Sequence, residues 1–244
     1  MTCFPGRIIR RSTLDSNEVG CRMKYHALVF DLDGTLVDSF SAIHQSLVKA
    51  MQFVGTTPWD LETTKMHVGW GIESLVEKAV GHQKRDAAVA HYREQYGKIF
   101  LSRTFLMPSV SETLPQLKNR GYRMAVATNK HSEFSIRILE HLEVSSYFTC
   151  VLGPNDVLHP KPHSDMLDTV MKRMDVERNE TLYIGDIPLD AETASNAGVD
   201  CLLVATGPYS VEALRGQCKV PVVEQFAEIL DYLKQRPLPL KEDL

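Results

Sequence analysis

The stretch YHALVFDLDGTLVDSF, residues 25 to 40, is an apolar run that ends in Asp31 and Asp33, with Asp38 close behind. Carboxylates set this close repel one another unless a cation or a group of donors lies among them. Three more stretches place polar groups beside an apolar run: Thr128 and Asn129 in VATNK, Lys161 in HPKPHSDML, and Asp186 with Asp190 in YIGDIPLD. Singly, each has an ordinary structural reading. A D-x-D-G sequence favours a turn, Thr128 and Asn129 can cap a helix, Lys161 between prolines can be an exposed lysine, and Asp186 can cap the helix that Pro188 opens. Together they put carboxylates, a hydroxyl and an ammonium after successive apolar runs.

That set has a chemistry. Clustered carboxylates with room for water suit Mg²⁺, which prefers oxygen ligands, and a lysine beside the ion binds an anion. A phosphoryl group supplies the anion, and its transfer requires positive charge on the equatorial oxygens and a nucleophile in line. Asp31, at a strand tip, can be nucleophile and metal ligand together. Asp33, two residues on, can protonate the leaving oxygen and then deprotonate water. Asp38 is expected to cap or begin the next helix and is given no chemistry.

The elements that must position these groups are legible as alternation. Apolar runs at 25 to 30, 123 to 128, 147 to 153, 181 to 186 and 200 to 206 read as buried strands, each followed by a loop and a helical pattern. This predicts an α/β fold: a doubly wound, Rossmann-like parallel sheet with helices on both faces, whose ligands bind beyond the carboxyl ends of the strands. Val110, Leu114 and Leu117 mark one helix and Phe134, Ile138 and Leu142 another, with Ser109 and Ser132 as expected N-caps and Gly121 as a helix-ending glycine. Phe226, Ile229, Leu230 and Leu233 mark a last helix. From Ser39 to Met107 no strand is evident; Ile43, Leu47, Met51 and Val54, then Ile72, Leu75, Val76 and Ala79, predict consecutive helices. The expected organisation is a core of residues 24–38 and 108–236 and an all-helical cap of residues 39–107, hinged near Ser39 to Phe40 and near Phe105 to Pro108. Residues 1–23 are expected to be a disordered tail and 237–244 a frayed end.

FDLDGTLVDS, VATNK, HPKP and YIGDIPLDAETASNAGV resemble, in order, the four motifs of the haloacid dehalogenase superfamily over about residues 25 to 210. HVGWGIESLVEKAV and TNK are most similar to the phosphoglycolate phosphatases within it. The resemblance implies a Rossmann-like core with a helical cap, Mg²⁺ as cofactor and a phosphoaspartate intermediate. Carried over by position, Asp31 is the nucleophile, Asp33 the general acid and base, Thr128 and Lys161 the phosphate holders, with Asn129 beside them. Asp31, Asp33 through its backbone carbonyl, and Asp186 are the metal ligands, and Asp190 acts on the metal through water or neighbouring groups. Hydrolytic dehalogenases lack an acid two residues after the nucleophile, and phosphonatases have a small residue there, so Asp33 points to a phosphomonoester.

The expected activity is hydrolysis of a small phosphorylated metabolite, with 2-phosphoglycolate leading. Sugar phosphatase, nucleotidase, pyrophosphatase and β-phosphoglucomutase activities share these core residues, and a non-catalytic binding module would have lost one of them. Gly69, Trp70 and Gly71 are the expected substrate contacts from the cap, or alternatively two helix breaks with Trp70 packed between. Lys130 either approaches substrate or faces solvent, and His67, His82 and His91 read as surface or packing residues. Ile187 and Pro188 stand where many relatives carry a small polar residue first.

Composition limits the remaining classes. The 244 residues are 43% apolar and 24% charged, enough for a sizeable core, and the net charge of -4 without a dense Lys/Arg run argues against nucleic acid or an anionic membrane as partner. The five cysteines, Cys3, Cys21, Cys150, Cys201 and Cys218, are odd in number and form no C-x-x-C pair, which fits reduced thiols in a cytoplasm; a monomer or homodimer is expected. No run reaches the roughly 20 apolar residues of a membrane span. Arg7, Arg10 and Arg11 beside Ser and Thr give the first 22 residues a transit-peptide composition, against which stand a plain tail and a working start at Met23.

Overall fold

The computed structural model describes residues 24–235. The expected N-terminal tail and the frayed segment at 237–244 lie outside the described residues. In chain order the elements are β1 (Ala27–Phe30), β2 (Val37–Asp38), α1 (Phe40–Phe53), α2 (Leu61–Lys65), α3 (Ile72–Val80), α4 (Arg85–Ile99), β3 (Phe105–Leu106), α5 (Val110–Asn119) and β4 (Arg123–Ala127). There follow α6 (Ser132–His141), β5 (Phe148–Leu152), α7 (Asp165–Met174), β6 (Thr181–Gly185), α8 (Pro188–Ala197), β7 (Asp200–Val204), α9 (Val211–Gln217), β8 (Val222–Val223) and α10 (Ile229–Lys234).

Six strands form one parallel sheet in the order β5-β4-β1-β6-β7-β8. Because successive side chains of a strand point to opposite faces, the central strands feed two cores. Leu28, Phe30, Met124, Val126, Leu182 and Ile184 face a cluster with α5, α6 and α10. Ala27, Val29, Ala125, Ala127 and Tyr183 face another with α7, α8 and α9. The chain leaves β1 toward β4 and β5, then returns to β6 and β7 on the other side. This reversal puts the tips of β1 and β6 side by side at the switch point where open α/β sheets bind ligands.

The five expected strands are present, each shortened by one or two residues, and the doubly wound class holds. Two short elements escaped the sequence pattern. β8 is a two-residue edge strand beside β7. β2 and β3 pair antiparallel, Val37 with Leu106 and Asp38 with Phe105, so the stretch up to Met107 does contain a strand. Two-residue ladders carry too little periodicity to be read from sequence. The ribbon they make joins the two points where the chain passes between the sheet and the helices α1 to α4, and Met107 N–H adds a bond to Leu36 O of 2.9 Å.

The helix ends correct two details. Ser109 stands at the N-cap of α5 with φ of 65°, yet its hydroxyl caps nothing. Ser132 is the first residue of α6, after His131, and its N–H is taken by Asn155 Oδ1 at 3.0 Å from the loop after β5. Gly121 follows α5 at φ of 85° as expected. Asp38 accepts the Phe40 N–H at 3.2 Å and so starts α1. Among the described residues no helix is long and apolar enough to cross a membrane.

Phe30 and Phe226 pack with ring centroids 5.9 Å apart beneath the sheet, both fully buried. Phe226→Ala is expected to cost about 3–5 kcal/mol of stability in urea denaturation, whereas Ile136→Ser on the exposed side of α6 changes it by less than about 0.5 kcal/mol.

Candidate active site

The residues that follow the strand tips converge. Asp31 follows β1 and Asp186 follows β6, adjacent strands bound to each other through Asp31 N–H and Ile184 O at 2.8 Å. One oxygen each of Asp31, Asp186 and Asp190 lie within 4.8 Å of one another, and all three residues are buried. Asp190 reaches the group from the first turn of α8. Its Oδ2 accepts the N–H groups of Asp186 at 3.1 Å and Ile187 at 3.2 Å, and its Oδ1 accepts from Lys161 Nζ at 2.7 Å and Tyr183 O–H at 3.1 Å. Asp186 therefore caps nothing; the helix that Pro188 opens is capped by Asp190.

Lys161 enters from the loop between β5 and α7, followed by a cis bond to Pro162. Its side chain is 1% exposed; Nζ donates to Tyr183 Oη at 2.9 Å and stands 3.0 Å from Asp31 Oδ1. That last contact is an ion pair out of line for a hydrogen bond, so Asp31 Oδ1 is a buried oxygen with no hydrogen-bond donor among the described residues. Burial pushes the Asp31 carboxyl up to about 6, Lys161 pulling it down and Asp190 and Asp33 adding to the rise. Burial, with Asp190 and Asp31, holds Asp186 well above the usual carboxylate range, the Thr35 hydroxyl and Lys161 offsetting part of it. Burial alone would lower Lys161, but Asp190 and Asp31 outweigh it and keep its ammonium above the ordinary lysine range.

Two glycines make the space beside Asp186. Gly34 takes a φ of 90°, which side-chain-bearing residues seldom adopt, and a Cβ on it would overlap the Asp186 carboxylate. A Cβ on Gly207, after β7, would strike the same carboxylate. Thr35 O–H donates to Asp186 Oδ1 at 2.7 Å, and Thr206 O–H donates to Gly34 O at 2.7 Å. An Asp31 oxygen without a hydrogen-bond donor, beside an Asp186 carboxylate held above its usual range with glycine backbone against it, fits an oxygen-liganded divalent cation.

Asp33 lies apart from the trio. Its Oδ1 accepts Ser39 O–H at 2.5 Å and its Oδ2 is paired with Lys130 Nζ at 2.8 Å. Lys130 does not face solvent: its side chain is 7% exposed and its ammonium stands 4.9 Å above the Tyr96 ring of α4. Asp33 and Tyr96 keep it above the usual lysine range despite burial, which alone would lower it. Thr128 is buried at the tip of β4, and its Oγ1 accepts Lys130 N–H at 3.2 Å. Asn129 spends its whole side chain on other backbones. Its Nδ2 donates to Gly69 O at 2.9 Å and Lys161 O at 3.1 Å, and its Oδ1 accepts Lys161 N–H at 3.0 Å. It ties three segments together at the wall of the cavity that opens above Asp31.

Above Asp31 lies a cavity of about 40 Å³, reached by Asp33, Thr128, Lys130 and Tyr96 and otherwise walled by Ile43, Val68, Ile72, Leu75, Tyr92 and Phe134. Gly69 and Gly71 border it; a Cβ on Gly69 would meet Ile187, so helix loop and strand loop touch there. Trp70 does not line it. The ring is 46% exposed with Lys78 Nζ 5.6 Å above it, because Gly69 and Gly71 turn the chain so that the residue between them points outward. His67, His82 and His91 stay away from the cavity, His91 stacked on Phe53 at 4.4 Å.

Sequence reading missed Thr35, Tyr183, Gly207 and the Ser39 and Tyr96 hydroxyls. Tyr183 had a signal, a polar tip inside the apolar run TLYIGD, and Thr35 follows Asp33 and Gly34 directly. The others are brought in by tertiary packing alone. A separate group, His159, His163 and Asp165, lies on the surface before α7, where each imidazole Nδ1 takes one oxygen of Asp165 at 2.9 Å.

The profile of the haloacid dehalogenase-like hydrolases matches residues 28–204. A phosphoglycolate phosphatase of Yersinia pestis is 31% identical over 83% of the chain and 90% of its own length. A probable phosphatase, IndB, of Dickeya dadantii (strain 3937) is 30% identical over 83% and 91%. The crystal structure of a predicted phosphoglycolate phosphatase from Haemophilus somnus 129pt superposes with a TM-score of 0.79 at 25% identity, covering 86% of this chain and 98% of that one. Strand order, the polar groups at the strand tips and these likenesses agree that the chain belongs to the family of haloacid dehalogenase-like hydrolases.

Proposed function

We propose that the protein is a Mg²⁺-dependent phosphatase that hydrolyses a small phosphomonoester through a phosphoaspartate on Asp31, with 2-phosphoglycolate as the leading substrate. The observation that carries this is Asp31 itself, a buried carboxylate at the switch point with one oxygen lacking a hydrogen-bond donor and the Lys161 ammonium alongside. Asp31, Asp186 and the backbone carbonyl of Asp33 would hold the ion. Bound there, Mg²⁺ neutralises the carboxylates and draws charge from the phosphoryl oxygens. Asp190, with both oxygens engaged, holds Lys161 and the Asp186 loop in place. Residues 39–107 act as the cap and the remainder of the described chain as the core.

In the first half-reaction an Asp31 oxygen attacks phosphorus, the ester P–O bond breaks, and the leaving oxygen takes a proton from Asp33. In the second, water attacks the same phosphorus, gives its proton to Asp33, and the acyl phosphate P–O bond breaks to release orthophosphate and restore Asp31. The Lys161 ammonium and the Thr128 hydroxyl hold the phosphoryl oxygens throughout. The cavity's largely aliphatic and aromatic walls would leave the hydroxyls of a sugar unpaired, which supports a short leaving group over a hexose or a nucleoside.

p-Nitrophenyl phosphate should be turned over with Mg²⁺ and not with EDTA; absence of turnover of this and every metabolite phosphate would remove the phosphatase reading. Asp31→Asn is expected to lower kcat on the order of 10⁴-fold or more, checked against deamidation by mass spectrometry. Asp33→Asn should lose about 10²–10⁴-fold while keeping Mg²⁺ binding, since a backbone carbonyl supplies its ligand atom.

The metal also sets a pH dependence. A carboxyl whose folded pKa is raised holds its proton more tightly folded than unfolded, so the metal-free fold loses stability as pH rises from the ordinary carboxylate range through about 6, the position of Asp31. Mg²⁺ should therefore raise Tm more at pH 7.5 than at pH 5. In EDTA at pH 7.5, Asp186→Asn should be more stable than the native chain, because it removes a carboxylate that burial holds well above the usual range, and should lose the Mg²⁺ increment. An increment equal at both pH values and retained in Asp186→Asn would contradict the site.

A further inference from the structure

The cavity over Asp31 holds a cation that the phosphoryl group does not use. Lys161 already serves the phosphoryl position, fixed by Asp190 and Tyr183 and touching Asp31. Lys130 is a second buried ammonium on the same cavity, held on Asp33 Oδ2 from one side and over the Tyr96 ring from the other. The Tyr96 hydroxyl is buried beside that ammonium, and its proton has no acceptor among the described residues. A buried hydroxyl is ordinarily satisfied, and one left open on a cavity marks a place where a ligand atom completes it. The other walls there are aliphatic and aromatic, so a polyhydroxylated leaving group would find its hydroxyls unpaired, whereas one compact anion would find an ammonium and a hydroxyl together.

Resting on the phosphatase reading above, we propose that Lys130 and Tyr96 form a second anion site, which binds the carboxylate of a short phosphorylated carboxylic acid on the leaving-group side of the phosphorus. The site exchanges partners with the catalytic machinery. With the cavity empty, Lys130 occupies Asp33 Oδ2, while Ser39 holds Asp33 Oδ1 at 2.5 Å. When the substrate carboxylate takes the ammonium, Asp33 loses its counter-charge, takes up a proton from solvent and turns Oδ2 toward the leaving oxygen, while Ser39 keeps the carboxyl oriented. An ester without a carboxylate leaves Lys130 on Asp33. Lys130 thus selects substrate twice, by binding the carboxylate and by uncovering the proton carrier only when that carboxylate is present. Tyr96 comes from α4, so the helices over the sheet supply half of the recognition and the loop after β4 the other half.

The test compares 2-phosphoglycolate with ethyl phosphate, which keeps the two-carbon chain and replaces the carboxylate by a methyl group, both with Mg²⁺. The native enzyme should favour 2-phosphoglycolate by about 10²-fold or more in kcat/KM, with a share of the difference in kcat. Lys130→Met should bring the ratio to within about threefold of one and Lys130→Arg should keep it above about ten, because the charge is retained. Tyr96→Phe should lower it by a smaller factor, seen mainly in KM. The ratio is internal to each variant, so partial unfolding does not alter it. A native ratio near one, or a Lys130→Met ratio equal to the native one, overturns the anion site while Mg²⁺-dependent turnover of both esters keeps the phosphatase reading. If neither ester is hydrolysed while p-nitrophenyl phosphate is, the anion site falls and the phosphatase reading stands.

Discussion

Three buried carboxylates share one small space at the tips of β1 and β6, and their mutual repulsion is the constraint around which this region of the fold is arranged. Each surrounding feature answers it. Lys161 is pinned between Asp31 and Asp190 by the Tyr183 hydroxyl. Asp190 gives both its oxygens to neighbours, including two backbone N–H groups at the start of α8. Gly34 and Gly207 withhold the side chains that would fill the space by Asp186. What remains uncompensated is Asp31 and Asp186, both held above the ordinary carboxylate range by burial first. Electrostatic cost at this point is the counterpart of readiness for a cation, the usual exchange between stability and function at a preorganised site.

The sheet gives that arrangement its rigidity. Ladders on either side of β1 fix the Cα register of Phe30 against Val126 and Ile184, so the residues one step further, Asp31, Ala127 with Thr128 beyond it, and Gly185 with Asp186 beyond it, emerge at one edge together. The alternation that buries Leu28 and Phe30 on one face and Ala27 and Val29 on the other leaves no slack for a slip of one residue, which would exchange the two faces. Precision at the site is thus a by-product of apolar packing well below it.

Much of this was legible in the sequence, and the boundary is physical. The strands, Asp31, Asp33, Lys161 and Asp186 follow from runs of apolar residues that stop at polar ones, a one-dimensional signal. Asp190 as the anchor of Lys161 and Asn129 as a tie between Gly69 and Lys161 were not legible, because these partners are distant in sequence and a side-chain amide gives no hint of whether it meets backbone or ligand. Trp70 was read either as a substrate contact or as packed between two helix breaks, and it lies exposed outside the cavity, since a residue between two glycines of positive φ takes its direction from the backbone. Lys130 stood open between substrate and solvent; its burial on Asp33 depends on Tyr96, thirty-odd residues earlier in a different element.

The β2–β3 ribbon has a mechanical consequence. The chain crosses between the sheet and the helices α1 to α4 twice, and two independent crossings would let the helices swivel like a ball in a socket. Here the crossings are fastened to each other, Val37 to Leu106, Asp38 to Phe105 and Leu36 to Met107. Joined side by side, the two strands keep both crossings at one place, and that fixed joint sets where α4 lays the Tyr96 ring beneath the Lys130 ammonium.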